Sequence, residues 1–199
     1  MTSLGQIAEY AQAVSARARR PGRDGWAYRS FHDAVLAHGR IFEPAQLPDD
    51  VYPALAGHAC RAAAIVADQR AQIYVEGLAL LPDGRTVIEH AWCADWLGRV
   101  IDPNLGGSSA AAYLGLAFPL RFRGTAPASA SGPWSIMTAD IEAAGPAHLE
   151  LLRHGFPPGA LVEIGAPLRG TTGAAGAHAK APREAPASVS TPRDLATAA

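Results

Sequence analysis

Residues 60–103 decide the fold, and they read CRAAAIVADQRAQIYVEGLALLPDGRTVIEHAWCADWLGRVIDP. The stretch opens with a run rich in alanine, the strongest helix former, and this composition predicts a helix from Cys60 to about Gln69. β-Branched and aromatic residues then predict a strand over residues 72–81. A helix that is followed at once by a strand indicates a fold that mixes both kinds of element.

The remainder of this stretch predicts an antiparallel sheet. Pro-Asp-Gly at residues 82–84 indicates a tight turn, and a returning strand is predicted over residues 86–94. A second reversal near residues 95–98 leads into an extended segment at residues 99–102. The order helix, strand, strand, strand favours an α+β fold, in which an antiparallel β-sheet packs against the helix that starts at Cys60.

The flanking segments add helices and one further apolar element. Apolar residues at helical spacing predict helices over residues 4–19 and 27–38, and helix-like spacing returns within residues 136–154. Residues 113–122 are apolar and predict a fourth strand or a buried segment. Residues 43–57 contain three prolines and are predicted to be irregular.

These elements predict one catalytic-type domain over residues 1–165, with N-terminal helices in residues 1–55 and a core in residues 56–122. Hydrophobic residues make up 49% of the chain, which is enough to build a core without disulfides or a structural metal. Residues 166–199 are rich in Ala, Gly, Pro and Ser and offer little apolar surface to bury. They are therefore predicted to be a disordered tail.

Composition narrows the classes of function. The net charge is -1 and the pI about 6.6. The chain therefore lacks the excess of basic residues that would indicate nucleic acid or an anionic membrane as a partner. No run of sequence approaches the roughly 18 apolar residues of a membrane span, and the first residues lack the pattern of a secretory signal. We expect a cytoplasmic protein with two free thiols, and the oligomeric state is left open.

Residues 60–103 contain, in this order, a cysteine, a histidine and an aspartate, which are the residue types that activate a thiol nucleophile in enzymes. Cys60 opens a helix, His90 lies on the returning strand, and Asp102 ends the next extended segment. The unpaired N–H groups at a helix start favour a thiolate, and an adjacent imidazole can take the thiol proton. The backbone N–H of Cys60 would also help to hold an oxyanion.

His90 and Asp102 are predicted to be partners across the second hairpin. A reversal centred near Trp96 pairs residues whose numbers add to about 192 or 193, which sets His90 opposite Asp102 or Pro103. Directly opposed residues have Cβ atoms about 4.5–5.5 Å apart, a separation that suits a carboxylate accepting from the ring N–H. A slip of one residue would turn Asp102 to the other face.

Together these residues resemble the transglutaminase-like branch of the papain-like cysteine enzymes. The resemblance lies in Cys60 at a helix start, His90-Ala91-Trp92 on one strand and Asp102-Pro103-Asn104 on the next, and it covers roughly residues 55–120. It implies a cysteine nucleophile, a histidine base and an orienting aspartate in a papain-like core. The implied enzyme needs no cofactor and acts through a thioester on a peptide, protein or other amide-containing substrate, as a protease, amidase or acyltransferase.

Two other classes of protein stay open. A non-catalytic binding or scaffold protein could keep this fold, with an ordinary thiol at Cys60. A zinc site could draw on His58, Cys60, His90 and Cys93, which are the ligand types that zinc prefers. Strand alternation argues against this metal site, because it points His90 and Cys93 to opposite faces, and Cys93 is then predicted to lie in the core.

Two more side chains belong to the predicted site region. Glu76 is expected either to line the site near His90 or to lie on the solvated surface. Trp92 shares a face with His90 and is predicted to pack against the Cys60 helix.

Overall fold

The computed structural model describes residues 2–17, 24–54, 59–105, 110–123, 135–137 and 146–168. Within these ranges the chain forms the following helices and strands: α1 (Ser3–Arg17), α2 (Phe31–His38), β1 (Arg40–Phe42), α3 (Ala59–Arg70), β2 (Ile73–Leu80), β3 (Val87–Ala94), β4 (Val100–Ile101), β5 (Ala112–Phe118), α4 (Leu120–Arg123), α5 (Pro146–His154) and β6 (Ala166–Pro167).

The strands form one sheet in the order β4-β3-β2-β5-β1-β6, and each neighbouring pair is antiparallel. Helix α3 packs on β3 and β2, while α1 and α2 pack on β5. The predicted α+β class is therefore confirmed, together with an antiparallel sheet against the helix that contains Cys60.

The hairpin of β2 and β3 forms as its turn residues predict. Asp83 accepts hydrogen bonds from the backbone N–H groups of Arg85 and Thr86, both at 2.9 Å, which fixes the reversal. The two strands then pair in full register from Leu80 opposite Val87 to the other end of the hairpin. Both strands lie within one residue of their predicted bounds.

The remaining elements match the sequence less closely. Helix α2 begins at Phe31 rather than at residue 27, because Ser30 caps it by accepting from the Asp33 N–H. Strand β1 was not predicted, since a strand of three residues has no pattern of its own and forms by pairing with β5 and β6. Strand β5 ends at Phe118, and a single helical turn, α4, follows Pro119.

Helix α3 lies close to the sheet because its inner face is made of alanines. Ala63, Ala64 and Ala67 are buried against the strands. Cys93 on β3 is fully buried, and its thiol donates to the Ala63 carbonyl at 2.9 Å. The predicted core position of Cys93 is therefore confirmed.

Trp92 lies on the face opposite α3, so the prediction that it packs against the Cys60 helix is wrong. Cys93 takes the helix-facing position of β3, and alternation turns Trp92 to the other side. There its ring contacts Phe42 and Tyr113 and stacks near the His90 ring, with the two centroids 6.2 Å apart. This second apolar layer is covered by loop residues rather than by helices.

Two facing glycines make room for the Trp92 indole. Gly77 on β2 pairs with Gly115 on β5. A Cβ atom would lie 2.8 Å from Trp92 Cη2 at Gly77 and 2.7 Å from it at Gly115. The indole therefore lies directly on the backbone of both strands and fixes their register.

The predicted start of the tail at residue 166 is wrong. Ala166 and Pro167 form β6 and pair with Ile41 and Arg40 of β1. The Arg40 guanidinium also donates to the Gly165 carbonyl at 2.9 Å. Backbone pairing holds this segment although it has few apolar side chains, and residues 169–199 lie outside the described ranges.

We expect Gly77→Ala to destabilise the fold by about 3 kcal/mol, because the new methyl group overpacks the sheet backbone and Trp92. Urea unfolding followed by tryptophan fluorescence measures this loss. Gly25→Ala is the matched control. It is the same substitution, but a Cβ atom at Gly25 meets nothing within 4 Å. Its positive φ limits the expected loss to about 1 kcal/mol. Equal losses in the two variants would contradict the role assigned to the glycine pair.

Candidate functional site

His90 and Asp102 are in contact, as the sequence predicts. His90 Nε2 lies 2.7 Å from Asp102 Oδ2, and the two residues are 8% and 7% exposed. Asp102 Oδ2 also accepts from the Tyr113 hydroxyl at 2.8 Å, and Oδ1 accepts from the Asn104 N–H at 2.9 Å. Both carboxylate oxygens are therefore held, and the carboxylate in turn fixes the imidazole.

The register that produces this contact differs from the predicted one. Cys93 pairs with Ile101, and one further step along both strands sets Trp92 opposite Asp102. His90 therefore lies diagonally from Asp102 on the same face. The imidazole is long enough to span a diagonal, which explains why the contact survives a different register.

The surroundings of Asp102 favour its charged form. Burial acts to raise the pKa of this carboxyl, but the hydrogen bonds from His90, Asn104 and Tyr113 outweigh burial and hold the pKa below its ordinary value. The ring nitrogen that faces a carboxylate carries hydrogen, so Nδ1 of a neutral His90 ring is left as an acceptor. Among the described residues, Nδ1 has no hydrogen-bond partner.

Cys60 lies in the first turn of α3 and is half-buried. Its thiol hydrogen-bonds to Tyr74 and Ser135 and lies near the Glu76 carboxylate. Burial and then the Glu76 charge raise the pKa of the thiol to about 11. This is the reverse of the effect expected from the helix start, because burial and the Glu76 anion oppose the macrodipole.

Cys60 and His90 are directed to different sides of the sheet. Glu76, which lies near Cys60, is opposite Ala91 on β3, and alternation turns the adjacent His90 to the other face. Within the described parts of the chain, no hydrogen bond joins Cys60 to His90. The structure therefore brings together His90 and Asp102 of the three predicted residues, with Cys60 turned away.

Asn104 nevertheless ties the start of α3 to the strand of His90. Its side-chain Nδ2 donates to the Ala59 carbonyl at 3.4 Å and to the Ala91 carbonyl at 3.3 Å. These residues are the immediate neighbours of Cys60 and His90 in sequence. Asn104 thus joins the backbone next to Cys60 to the backbone next to His90.

Glu76 is buried on the α3 side of the sheet, so it neither lines the His90 face nor lies on the surface. Its carboxylate accepts from the Tyr74 hydroxyl at 2.6 Å and from the Ile136 and Met137 N–H groups at 2.6 and 2.7 Å. Burial raises the pKa of this carboxyl to about 7, against the effect of those hydrogen bonds.

Sequence reasoning missed Tyr74, Ser135 and the bridging role of Asn104. For Tyr74 a clue was available, because residues 74 and 76 alternate onto one face of a strand that directly follows the Cys60 helix. Asn104 belongs to the Asp-Pro-Asn motif, and only the fold shows which carbonyls it reaches. Ser135 is distant in sequence, and no local pattern connects it to Cys60.

The geometry of the described residues gives no support to a zinc site. In these ranges no three or more His, Cys, Asp or Glu side chains are grouped so that they could hold a metal. His90 and Cys93 point to opposite faces, and burial raises the pKa of the Cys93 thiol to about 12. His58 lies outside the described ranges.

Comparison with protein-family models, with curated proteins and with solved structures finds no match for this chain. Any function proposed for this site must therefore be argued from the positions of its own residues. Of the helices in the described ranges, none has the length and apolar character needed to cross a bilayer.

We expect Asp102→Asn to remove part of the acid sensitivity of the fold. The pKa of Asp102 is lower in the folded protein than in the unfolded chain, so its stabilisation is present at neutral pH and is lost as pH falls through the folded pKa. The wild type should lose stability below about pH 4, whereas the variant should be less stable at pH 7 by about 2 kcal/mol and respond less to acid.

Urea unfolding at a series of pH values measures both quantities. Tyr113→Phe is the comparison, because it keeps the carboxylate and removes one of its donors, and it should give an intermediate slope. An Asp102→Asn variant that keeps the full acid slope of the wild type would contradict the assignment.

Proposed function

We propose that the protein is a cysteine-dependent enzyme with a transglutaminase-like, papain-like core that acts on an acyl or amide bond through a thioester. Cys60 is the nucleophile, His90 its base and Asp102 the group that orients the base. The observation that carries this proposal is the buried His90–Asp102 pair, which Asn104 links to the start of the Cys60 helix. A thiol, a base and an orienting carboxylate are the parts that such enzymes need.

The thiol must turn toward His90 before it reacts. Because the sulfur lies on the helix side of the sheet, the proposed reaction requires the start of α3 to shift, in addition to rotation about the Cα–Cβ bond of Cys60, so that the sulfur leaves Glu76 and reaches His90. Leaving an anion and approaching an imidazole both favour the thiolate. Catalytic hydrogen bonds often form only once substrate is bound, and we assign this shift to the substrate-bound state.

The proposed mechanism has the following steps. Nδ1 of His90 accepts the thiol proton as the sulfur bonds to the substrate carbonyl carbon, and the backbone N–H of Cys60 donates to the oxyanion. The imidazolium next gives its proton to the leaving amine, which departs and leaves a thioester. Water or an amine then attacks this thioester and releases the Cys60 thiol. Water gives hydrolysis or deamidation, according to which amide was cleaved, and an amine gives transfer.

A second candidate is a non-catalytic binding protein with the same fold. It is favoured by the thiol of Cys60, which faces Glu76 and whose pKa is raised to about 11. In such a protein the His90–Asp102 pair would serve only to stabilise the second apolar layer. Cys60 would then react with electrophiles only at high pH, whatever residue stands at position 90.

The two candidates differ in the reactivity of Cys60 toward iodoacetamide. For the enzyme we expect Cys60 to be alkylated well below pH ~8, and His90→Ala to slow this reaction about tenfold or more. Mass spectrometry of the peptides resolves Cys60 from Cys93, which is the internal reference. His38→Ala is the control for loss of a histidine elsewhere. Labelling that occurs only at high pH and ignores His90→Ala would contradict the activated thiolate and hence the enzyme.

Asn104→Ala tests the link between the two groups. Without the side-chain amide the start of α3 is no longer tied to β3, so we expect Cys60 alkylation at pH 7 to fall about tenfold through loss of alignment. Circular dichroism and the urea midpoint report whether the fold persists. A folded variant with the wild-type alkylation rate would exclude a positioning role for Asn104.

A further inference from the structure

The Tyr74 hydroxyl stands between the thiol of Cys60 and the carboxylate of Glu76. It donates to Glu76 Oε1 at 2.6 Å and also hydrogen-bonds to the Cys60 thiol. Tyr74 is 1% exposed and Glu76 2% exposed. A line of three polar groups therefore runs from the candidate nucleophile to a carboxylate inside the core.

Among the described residues, the groups that donate hydrogen bonds to Glu76 are all uncharged. The residues opposite it on the neighbouring strands are Ala91 and Leu116, which are apolar. Its other donors are the backbone N–H groups of Ile136 and Met137 and the Ser135 hydroxyl, which also hydrogen-bonds to Cys60. A change in the protonation of Glu76 must therefore be felt at Tyr74 and, through it, at Cys60.

Other elements bring one ion pair to the outer side of this cluster. Arg123 of α4 lies over the Tyr74 ring, with its guanidinium carbon 5.6 Å from the ring centroid, and pairs with Asp68 of α3. The cation and the anion largely offset each other. The charge of Glu76 is the one that raises the pKa values of both Cys60 and Tyr74, in addition to burial.

We propose that Glu76 and Tyr74 form a proton-controlled positioning pair that governs the ionisation of Cys60. With Glu76 negative, the Tyr74 hydrogen is committed to the carboxylate and the thiol stays protonated. With Glu76 neutral, its own hydrogen is donated to the Tyr74 oxygen, and the Tyr74 hydrogen becomes available to the sulfur. As a device in catalysis the pair rests on the proposed function, whereas its effect on the thiol can be measured independently.

Two physical effects act in the same direction. A nearby carboxylate in a region of low dielectric raises the free energy of a thiolate, and protonation of Glu76 removes that repulsion. The reversed hydrogen bond then gives the thiolate a donor, and such charge-assisted bonds are stronger than neutral ones. Burial raises the pKa of Glu76 to about 7, so the pair changes state near neutral pH.

The pair is tested by the pH profile of iodoacetamide alkylation at Cys60. Glu76→Gln mimics the neutral carboxyl, because its amide donates to Tyr74 and carries no charge. It should shift the midpoint of alkylation down by about one pH unit and raise the rate at pH 8 about tenfold. Tyr74→Phe removes the donor to the sulfur and should shift the midpoint up. Glu89→Gln, a carboxylate on the neighbouring strand, is the matched control and should leave the profile unchanged.

A second measurement uses the wild-type protein alone, so it does not depend on whether a variant folds. Its alkylation rate should rise with pH, flatten near pH 7 where Glu76 ionises, and rise again at higher pH. A single ordinary thiol titration in the wild type would overturn the pair. An unchanged midpoint in a folded Glu76→Gln variant would overturn it as well.

Failure of the pair and failure of the proposed function give different results. If the alkylation midpoint moves in Glu76→Gln but His90→Ala has no effect, the Glu76–Tyr74 pair is supported and the proposed enzyme mechanism is contradicted. If the alkylation rate falls in His90→Ala but the midpoint is unchanged in Glu76→Gln, the enzyme mechanism is supported and the Glu76–Tyr74 pair is contradicted.

Discussion

The register between β2 and β3 governs the positions of all the groups in the candidate site. With Glu76 opposite Ala91 and Gly77 opposite His90, the cluster around Cys60 lies on the helix side and the His90–Asp102 pair on the other. A slip of one residue would exchange these faces. Trp92, packed on the glycine backbone of two strands, resists such a slip.

The two buried carboxyls differ in charge for reasons that the surrounding donors explain. Asp102 receives three hydrogen bonds at the edge of the sheet, and its pKa stays low. Glu76 receives four, from Tyr74, Ser135, Ile136 and Met137, but complete burial outweighs them and moves its pKa up to about 7. Environments that push the pKa values of nearby acids apart allow one to remain an anion while the other exchanges a proton at neutral pH.

The parts of the fold that the sequence predicted well are local. Helix α3, the hairpin of β2 and β3, and the contact between His90 and Asp102 follow from propensities, a turn motif and strand parity within about 45 residues. Strand β1 and the place of β5 beside it depend on pairing between distant segments, which no local pattern encodes. The direction of Cys60 was missed for a related reason. It depends on which face of β3 the helix covers, and the close contact of Ala63 with Cys93 decides that.

The order of the strands has a consequence for how the chain can fold during synthesis. Strand β1, near residue 41, borders β5 and β6 rather than β2, and β5 also completes the pairing of β2. Among the described residues, β1 therefore has no partner strand until residues 112–118 have left the ribosome, and its second partner strand follows with residues 166–167. Early segments therefore keep unpaired strand edges until the later strands are made, and exposed edges of this kind can pair with other chains.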